Sequence, residues 1–227
     1  MRIQIITLFP EMFTGVLGSS MLWKAADRGL VTYECINLRE FGLGPRQQVD
    51  DTPYGGGDGM LLMVEPLVAA IEHAKERVKE SRSQSSFAAA TDDRGVKVIL
   101  PTPRGKLYRQ SNAKRLAAEV DELILVCPRY EGYDERVTQW VDEQFCVGNY
   151  VLTGGELPAM TIIDSVVRLI PGVLGGETSA DIESFQDDDV TVEYPQYTRP
   201  AEFRGVPVPA VLQTGNHAAI AAWRQTN

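Results

Sequence analysis

Gly148–Pro158 reads GNYVLTGGELP, two adjacent glycines following a short apolar run. Glycines in such a place let the backbone approach a ligand closely and present N–H groups to it. Two further strings, Pro101–Gly105 and Pro128–Gly132, also follow short apolar runs. No GxGxxG and no P-loop string occurs, so neither a dinucleotide fingerprint nor a nucleoside triphosphate cradle is supported. What such loops offer is a backbone-lined pocket for a small ligand. A GG pair alone reads as a plain turn; the complete string is more informative.

The elements that must position these loops alternate along the chain. Strands are predicted at Ile3–Phe9, Val31–Leu38, Val96–Leu100, Leu123–Cys127 and Phe145–Gly148. Helical spacing covers a stretch that includes Met21–Arg28, then Val64–Lys79, Tyr108–Val120, Asp134–Val141 and Leu157–Ile170. Phe41–Gly59 is too rich in Gly, Pro and Asp for either element and reads as a long loop, and Ser81–Ser86 as a polar break. Strands separated by helices imply an α/β fold, a parallel sheet with helices on both faces. Ligands of such sheets sit beyond the carboxyl ends of the strands, where all three loops fall.

A chain of 227 residues, 44% hydrophobic and 23% charged, is long enough to bury a large core without disulfides or metal staples. Its three cysteines, Cys35, Cys127 and Cys146, are scattered without a CxxC pair, which suggests reduced thiols and a cytoplasmic location. No stretch approaches the roughly 20 apolar residues of a membrane span, so no membrane partner is expected. Net charge is −9, which leans against nucleic acid held by bulk electrostatics. Positive residues do gather locally, in Arg94, Lys97, Arg104, Lys106, Arg109, Lys114 and Arg115, a cluster that reads equally well as a solvated face.

The strings ITLFPEMF, VDDTPYGGGDGML, RYEGYDERV, YVLTGGELPAM, DSVVRLIPGVLG, YTRP and VPAVL follow one another in this order. Together they closely resemble the bacterial tRNA (guanine-N1)-methyltransferase family of the SPOUT class, over nearly the whole chain. The resemblance implies a C-terminal trefoil knot, a small mostly helical C-terminal extension, a homodimer, and S-adenosylmethionine-dependent methylation of guanine N1 in tRNA, 3′ of the anticodon. It divides the chain into a catalytic and cofactor-binding domain at 1–174, a mobile linker at 175–190 and a tRNA-binding extension at 191–227. It also implies a cofactor pocket of Leu100, Pro101, Thr102, Tyr130, Glu131, Gly132, Val147, Gly148, Tyr150, Leu152, Gly154, Gly155 and Pro158. Magnesium is implied as well, with no metal-ligand residues assigned.

Guanine N1 carries a proton and becomes a nucleophile only when a base removes it, and the charge that then moves to O6 wants a cationic partner. By the resemblance Arg168 is that partner. The family's base, an aspartate before a Ser-Phe pair, is Glu183 here, with Asp181 nearby as the other candidate. Glutamate places its carboxylate roughly 1 Å further out, a shift that matters for alignment. Pro128 stands where the family usually has glycine, Asn149 where it has aspartate, and GLGPRQQ lacks its histidine. These departures leave two other readings open: methylation of another RNA or guanine position, and a non-catalytic cofactor-binding dimer that binds RNA or protein.

Overall fold

In a computed structural model, residues 1–84, 95–174, 183–185 and 188–226 are described. The chain divides into two compact units, Met1–Ala180 and Asp181–Asn227. The first is built on five parallel strands: β1 (Arg2–Thr7), β2 (Thr32–Asn37), β5 (Gly95–Leu107), β6 (Val120–Val126) and β7 (Glu143–Cys146). Their order is β2-β1-β6-β5-β7. In register, Ile3 stands between Tyr33 and Leu123, and Ile99 between Leu125 and Glu143.

Alternation along β1 sends side chains to opposite faces. Ile3 and Ile5 join a core with Phe13, Leu22, Leu116, Ile162 and Val166. These come from α1 (Glu11–Leu17), α2 (Ser20–Asp27), α4 (Gln110–Glu119) and α5 (Glu156–Val167). Ile6 and Leu8 join a second core with Leu67, Ala70 and Ile71 of α3 (Val64–Gln84) and with Val137 of a 3-10 turn at Glu135–Trp140. The strands β1 and β6 are therefore covered on both sides, which explains why β6 reads VDELILV, nearly continuous in apolar residues.

The predicted parallel α/β sheet with helices on both faces is present, and the departures from prediction have local causes. The stretch around Met21 is two helices, because the backbone turns at Gly18, where a Cβ would stand 2.7 Å from the Thr14 carbonyl oxygen. Helix α3 continues through Gln84 instead of breaking at Ser81, since isolated serines among good helix formers do not end a helix; Ser85 and Ser86 lie outside the described residues. The loop 41–59 contributes β3 (Asp50–Asp51), which pairs antiparallel with β4 (Leu61–Leu62). Strand β5 runs on to Leu107, its register against β7 slipping between Pro101 and Lys106. Of the expected linker 175–190, residues 175–182, 186 and 187 lie outside the described residues.

The second unit carries a hairpin of β8 (Glu202–Phe203) and β9 (Val206–Pro207) and the helix α6 (His217–Thr226). The rings of Tyr194 and Tyr197 lie 6.5 and 6.3 Å from that of Trp223, and the Arg224 guanidinium lies 4.7 Å from the Tyr194 ring. Aromatic contacts hold together a segment too short for a large core.

Two phenols of the first unit report on its packing. Tyr33 donates to the Leu22 carbonyl at 3.2 Å, and Tyr108 shares a 2.8 Å hydrogen bond with Ser165 and packs edge-on against Phe145. Burial pushes both up to about 12, with the Asp164 charge adding to the effect at Tyr33. A raised phenol favours the neutral fold: its contribution is complete below about pH 10 and is lost as pH rises toward 12. The urea midpoint is expected to fall between about pH 10 and 12, less steeply in Tyr33→Phe and Tyr108→Phe. An identical slope in both variants removes these phenols as the cause.

Candidate functional site

A bulge within β5 and the segments that follow β6 and β7 converge on one cavity of about 490 Å³. Its walls are Pro101–Arg104, Pro128–Tyr133 with Glu135, and Phe145–Gly148 with Tyr150–Leu152, Gly154, Gly155 and Pro158; Leu61 closes one side. The volume lies within the ordinary range for small-molecule sites.

Each wall has its local reason. Residues 102–105 bulge out of β5 where the register slips, and Gly105 permits the return: a Cβ there would lie 2.5 Å from the Phe145 backbone nitrogen. The second wall is stitched to the strand β4 region by backbone hydrogen bonds from Glu131 to Met60 (3.0 Å), Leu62 to Gly132 (2.9 Å) and Asp134 to Leu62 (2.9 Å). Within it Tyr130 holds φ +59 and Gly132 φ +134, left-handed conformations that a non-glycine residue rarely adopts. The third wall crosses the second at closest approach, where Gly155 N–H donates to the Pro128 carbonyl at 2.7 Å. A Cβ on Gly155 would lie 2.8 Å from the Cys127 Cα and 2.4 Å from Pro128 Cδ. Gly155 is thus demanded by backbone crossing, beyond any turn, while a Cβ on Gly154 would meet the Arg129 side chain.

Charges at the site are largely paired. Arg104 binds Glu135 at 2.8 Å on the surface. Arg129 binds Glu156 at 2.8 Å, with the Glu156 side chain 1% exposed. Glu131 is exposed and makes no ion pair among the described residues. Tyr133 is half-buried and donates to Gln144 at 3.4 Å; burial raises its phenol, so it stays a neutral donor near neutral pH. Cys146 donates its S–H to the Gly148 carbonyl at 3.0 Å.

Of the residues assigned to a cofactor pocket, Pro101, Thr102, Tyr130, Glu131, Gly132, Val147, Gly148, Tyr150, Leu152, Gly154, Gly155 and Pro158 all line this cavity. Leu100 does not; it is fully buried in the core beneath α3. Arg168 caps the carboxyl end of α5, the end remote from the cavity. At about 1.5 Å per residue, the helix sets it roughly 18 Å from Glu156. Glu183 belongs to the second unit, and Asp181 lies outside the described residues. Sequence reasoning passed over Arg129, Glu156 and Thr7. The signal was available: a glutamate opening an apolar helix and an arginine ending an apolar strand both need partners once buried.

The chain matches the family profile described as tRNA (guanine-1)-methyltransferase TrmD over residues 1–227. It is 50% identical to a tRNA (guanine-N(1)-)-methyltransferase of Geobacter sulfurreducens, covering 99% of this chain and 85% of that protein. A protein of the same name from Myxococcus xanthus is 49% identical, with 98% and 83% covered. The crystal structure of tRNA (m1G37) methyltransferase from Aquifex aeolicus superposes with a TM-score of 0.76 at 32% identity, covering 100% of this chain and 88% of that one.

Gly155, at the crossing, and Gly148, away from it, differ in what surrounds them. Gly155→Ala presses on backbone and is expected to cost about 1–3 kcal/mol in urea unfolding. Gly148→Ala meets the ring of Tyr150, an exposed side chain able to move, and should stay within about 0.5 kcal/mol of wild type. Equal costs at the two positions would contradict the crossing as described.

Proposed function

The chain belongs to the tRNA (guanine-1)-methyltransferase family, and on that premise we propose that it transfers a methyl group from S-adenosylmethionine to guanine N1 in tRNA, at the position 3′ of the anticodon. The observation that carries this reading is the convergence of the three glycine- and proline-rich loops on one cavity at the carboxyl edge of the sheet.

The residues present suit the donor. Glycines at 148, 154 and 155 leave room that a Cβ would fill, so backbone groups can meet an adenine edge. Pro101, Val147, Leu152 and Pro158 supply apolar walls, and the unpaired Glu131 carboxylate offers a counter-charge to a sulfonium. When bound, S-adenosylmethionine supplies the activated methyl group. The protein's part is alignment, removal of the N1 proton and stabilisation of charge at O6. Glu183, or Asp181 beside it in sequence, takes the proton from N1, and Arg168 faces O6. Among the described residues no group of three or more His, Cys, Asp and Glu is placed to hold a metal, so no step is assigned to magnesium.

Arg168 and the cavity lie at opposite ends of α5. A second copy of the chain that brings its own Arg168 to this cavity completes the site, which favours a homodimer. Exposed Met12, Val16, Trp23, Val151 and Leu157 give that copy apolar surface to cover. The trefoil knot belongs to the same reading. Among the described residues no helix is long and apolar enough to cross a membrane.

The decisive measurement is methyl transfer from labelled S-adenosylmethionine to tRNA transcripts carrying guanine or another base 3′ of the anticodon. Label is expected only with guanine, as N1-methylguanine, with rates down about 100-fold or more in Arg168→Ala and in one of Glu183→Gln and Asp181→Asn. Mixing Arg168→Ala with a cavity variant such as Gly154→Val should restore part of the activity through mixed dimers. Label on another nucleoside, or none despite donor binding, sinks the assignment.

A further inference from the structure

We propose that Arg129 is a positioning residue: its buried ion pair with Glu156 fixes the spacing of two cavity walls and thereby sets affinity for the methyl donor. The inference rests on the methyltransferase reading above. It concerns groups that the chemistry of transfer leaves unused.

Arg129 sits in the loop after β6, and Glu156 opens α5 directly behind the GG pair. Arg129 Nε lies 2.8 Å from Glu156 Oε2, while Oε1 accepts from Thr7 Oγ1 at 2.9 Å. The hydroxyl oxygen of Thr7 in turn accepts from Phe9 N–H at 3.0 Å. The guanidinium lies 4.4 Å from the Phe9 ring centre, with Nη1 3.4 Å from the Thr153 carbonyl and Nη2 3.0 Å from Met12 Sδ. One side chain therefore joins the end of β1, helix α1, its own loop and the loop before α5.

The geometry leaves little slack. A Cβ on Gly154 would lie 2.5 Å from Arg129 Nε, so the guanidinium lies directly across the GG pair. Gly154, Gly155, Pro128 and Tyr130 all line the cavity, and the ion pair sits where their two loops meet. A buried ion pair contributes little net stability compared with apolar residues of the same shape, but removing one partner leaves a buried charge; here Nε and Oε2 meet as charges, without an aligned hydrogen bond between them. Its yield here is a fixed distance between walls, which is what a donor held by backbone atoms requires. Arginine suits the task better than lysine, because a planar fork reaches the carboxylate, a carbonyl and a ring face at once.

The test compares wild type with Arg129→Met, Arg129→Lys, Glu156→Gln and the double variant Arg129→Met/Glu156→Gln. Dissociation constants for S-adenosylmethionine come from calorimetry, KM values for donor and tRNA from initial rates, and Tm from scanning calorimetry. Each single charge-removing variant is expected to weaken donor binding about tenfold and to raise donor KM in step, leaving tRNA KM near wild type. The double variant should bind no worse than the worse single one, since no unpaired charge stays buried. Arg129→Lys should fall between. Variants that lose Tm but keep the wild-type donor constant well below their Tm overturn the proposal, as do single effects that simply multiply. Should a single variant fail to fold, the double variant and Arg129→Lys still decide. A wild type that binds no donor removes the proposed function and this inference together; wild-type binding matched by every variant removes this inference alone.

Discussion

The crossing of the chain at Gly155 over Cys127 and Pro128 is the constraint on which the site depends. A parallel sheet delivers its loops to one edge, but nothing in strand pairing makes them touch. Contact here requires a residue without a side chain, because a Cβ would fall 2.8 Å from the Cys127 backbone. Once the backbones meet, the Gly155 hydrogen bond to Pro128 is available at 2.7 Å. Pro128 costs nothing at this contact, since it enters as an acceptor and its missing N–H is not called on. The departure from the family's usual glycine thus falls where a carbonyl is used.

How much of this could be read in advance differs by level. The order of strands and helices was legible because burial imposes period 2 on β1 and near-continuous apolarity on β6. The three segments that meet at the cavity were legible because glycine and proline cluster in them. The pocket residues came from resemblance, and all except Leu100 reach the cavity. The Leu100 side chain packs in the core beneath α3, because side chains alternate along a strand. The split of the first helix at Gly18 was missed because a single glycine within a helical pattern is often tolerated. The Arg129–Glu156 pair was missed for a different reason. Two charges 27 positions apart in sequence announce nothing until folding buries one of them beside the other.

The polarity of α5 has its own consequence. Its first turn is built into the cavity wall, and its last turn carries Arg168 at the other edge of the sheet. A straight helix packed against β1 and β6 cannot bring its two ends together. The proposed homodimer is the arrangement that would bring an Arg168 to the cavity.

An excess of nine negative charges is ill suited to holding RNA by bulk electrostatics. The ion pairs sharpen the difficulty, for Arg2, Arg77, Arg104, Arg115 and Arg129 are all engaged with carboxylates inside the first unit. Guanidinium groups held this way organise the protein's own loops and contribute little to an external phosphate. An RNA partner can also be held by shape and by stacking on aromatic rings, which depend less on counterion release. In the second unit Phe203 is exposed, and Arg204 lies 5.2 Å over its ring. A guanidinium spread on an aromatic face is the kind of surface on which an unpaired base stacks, a contact that does not depend on net charge.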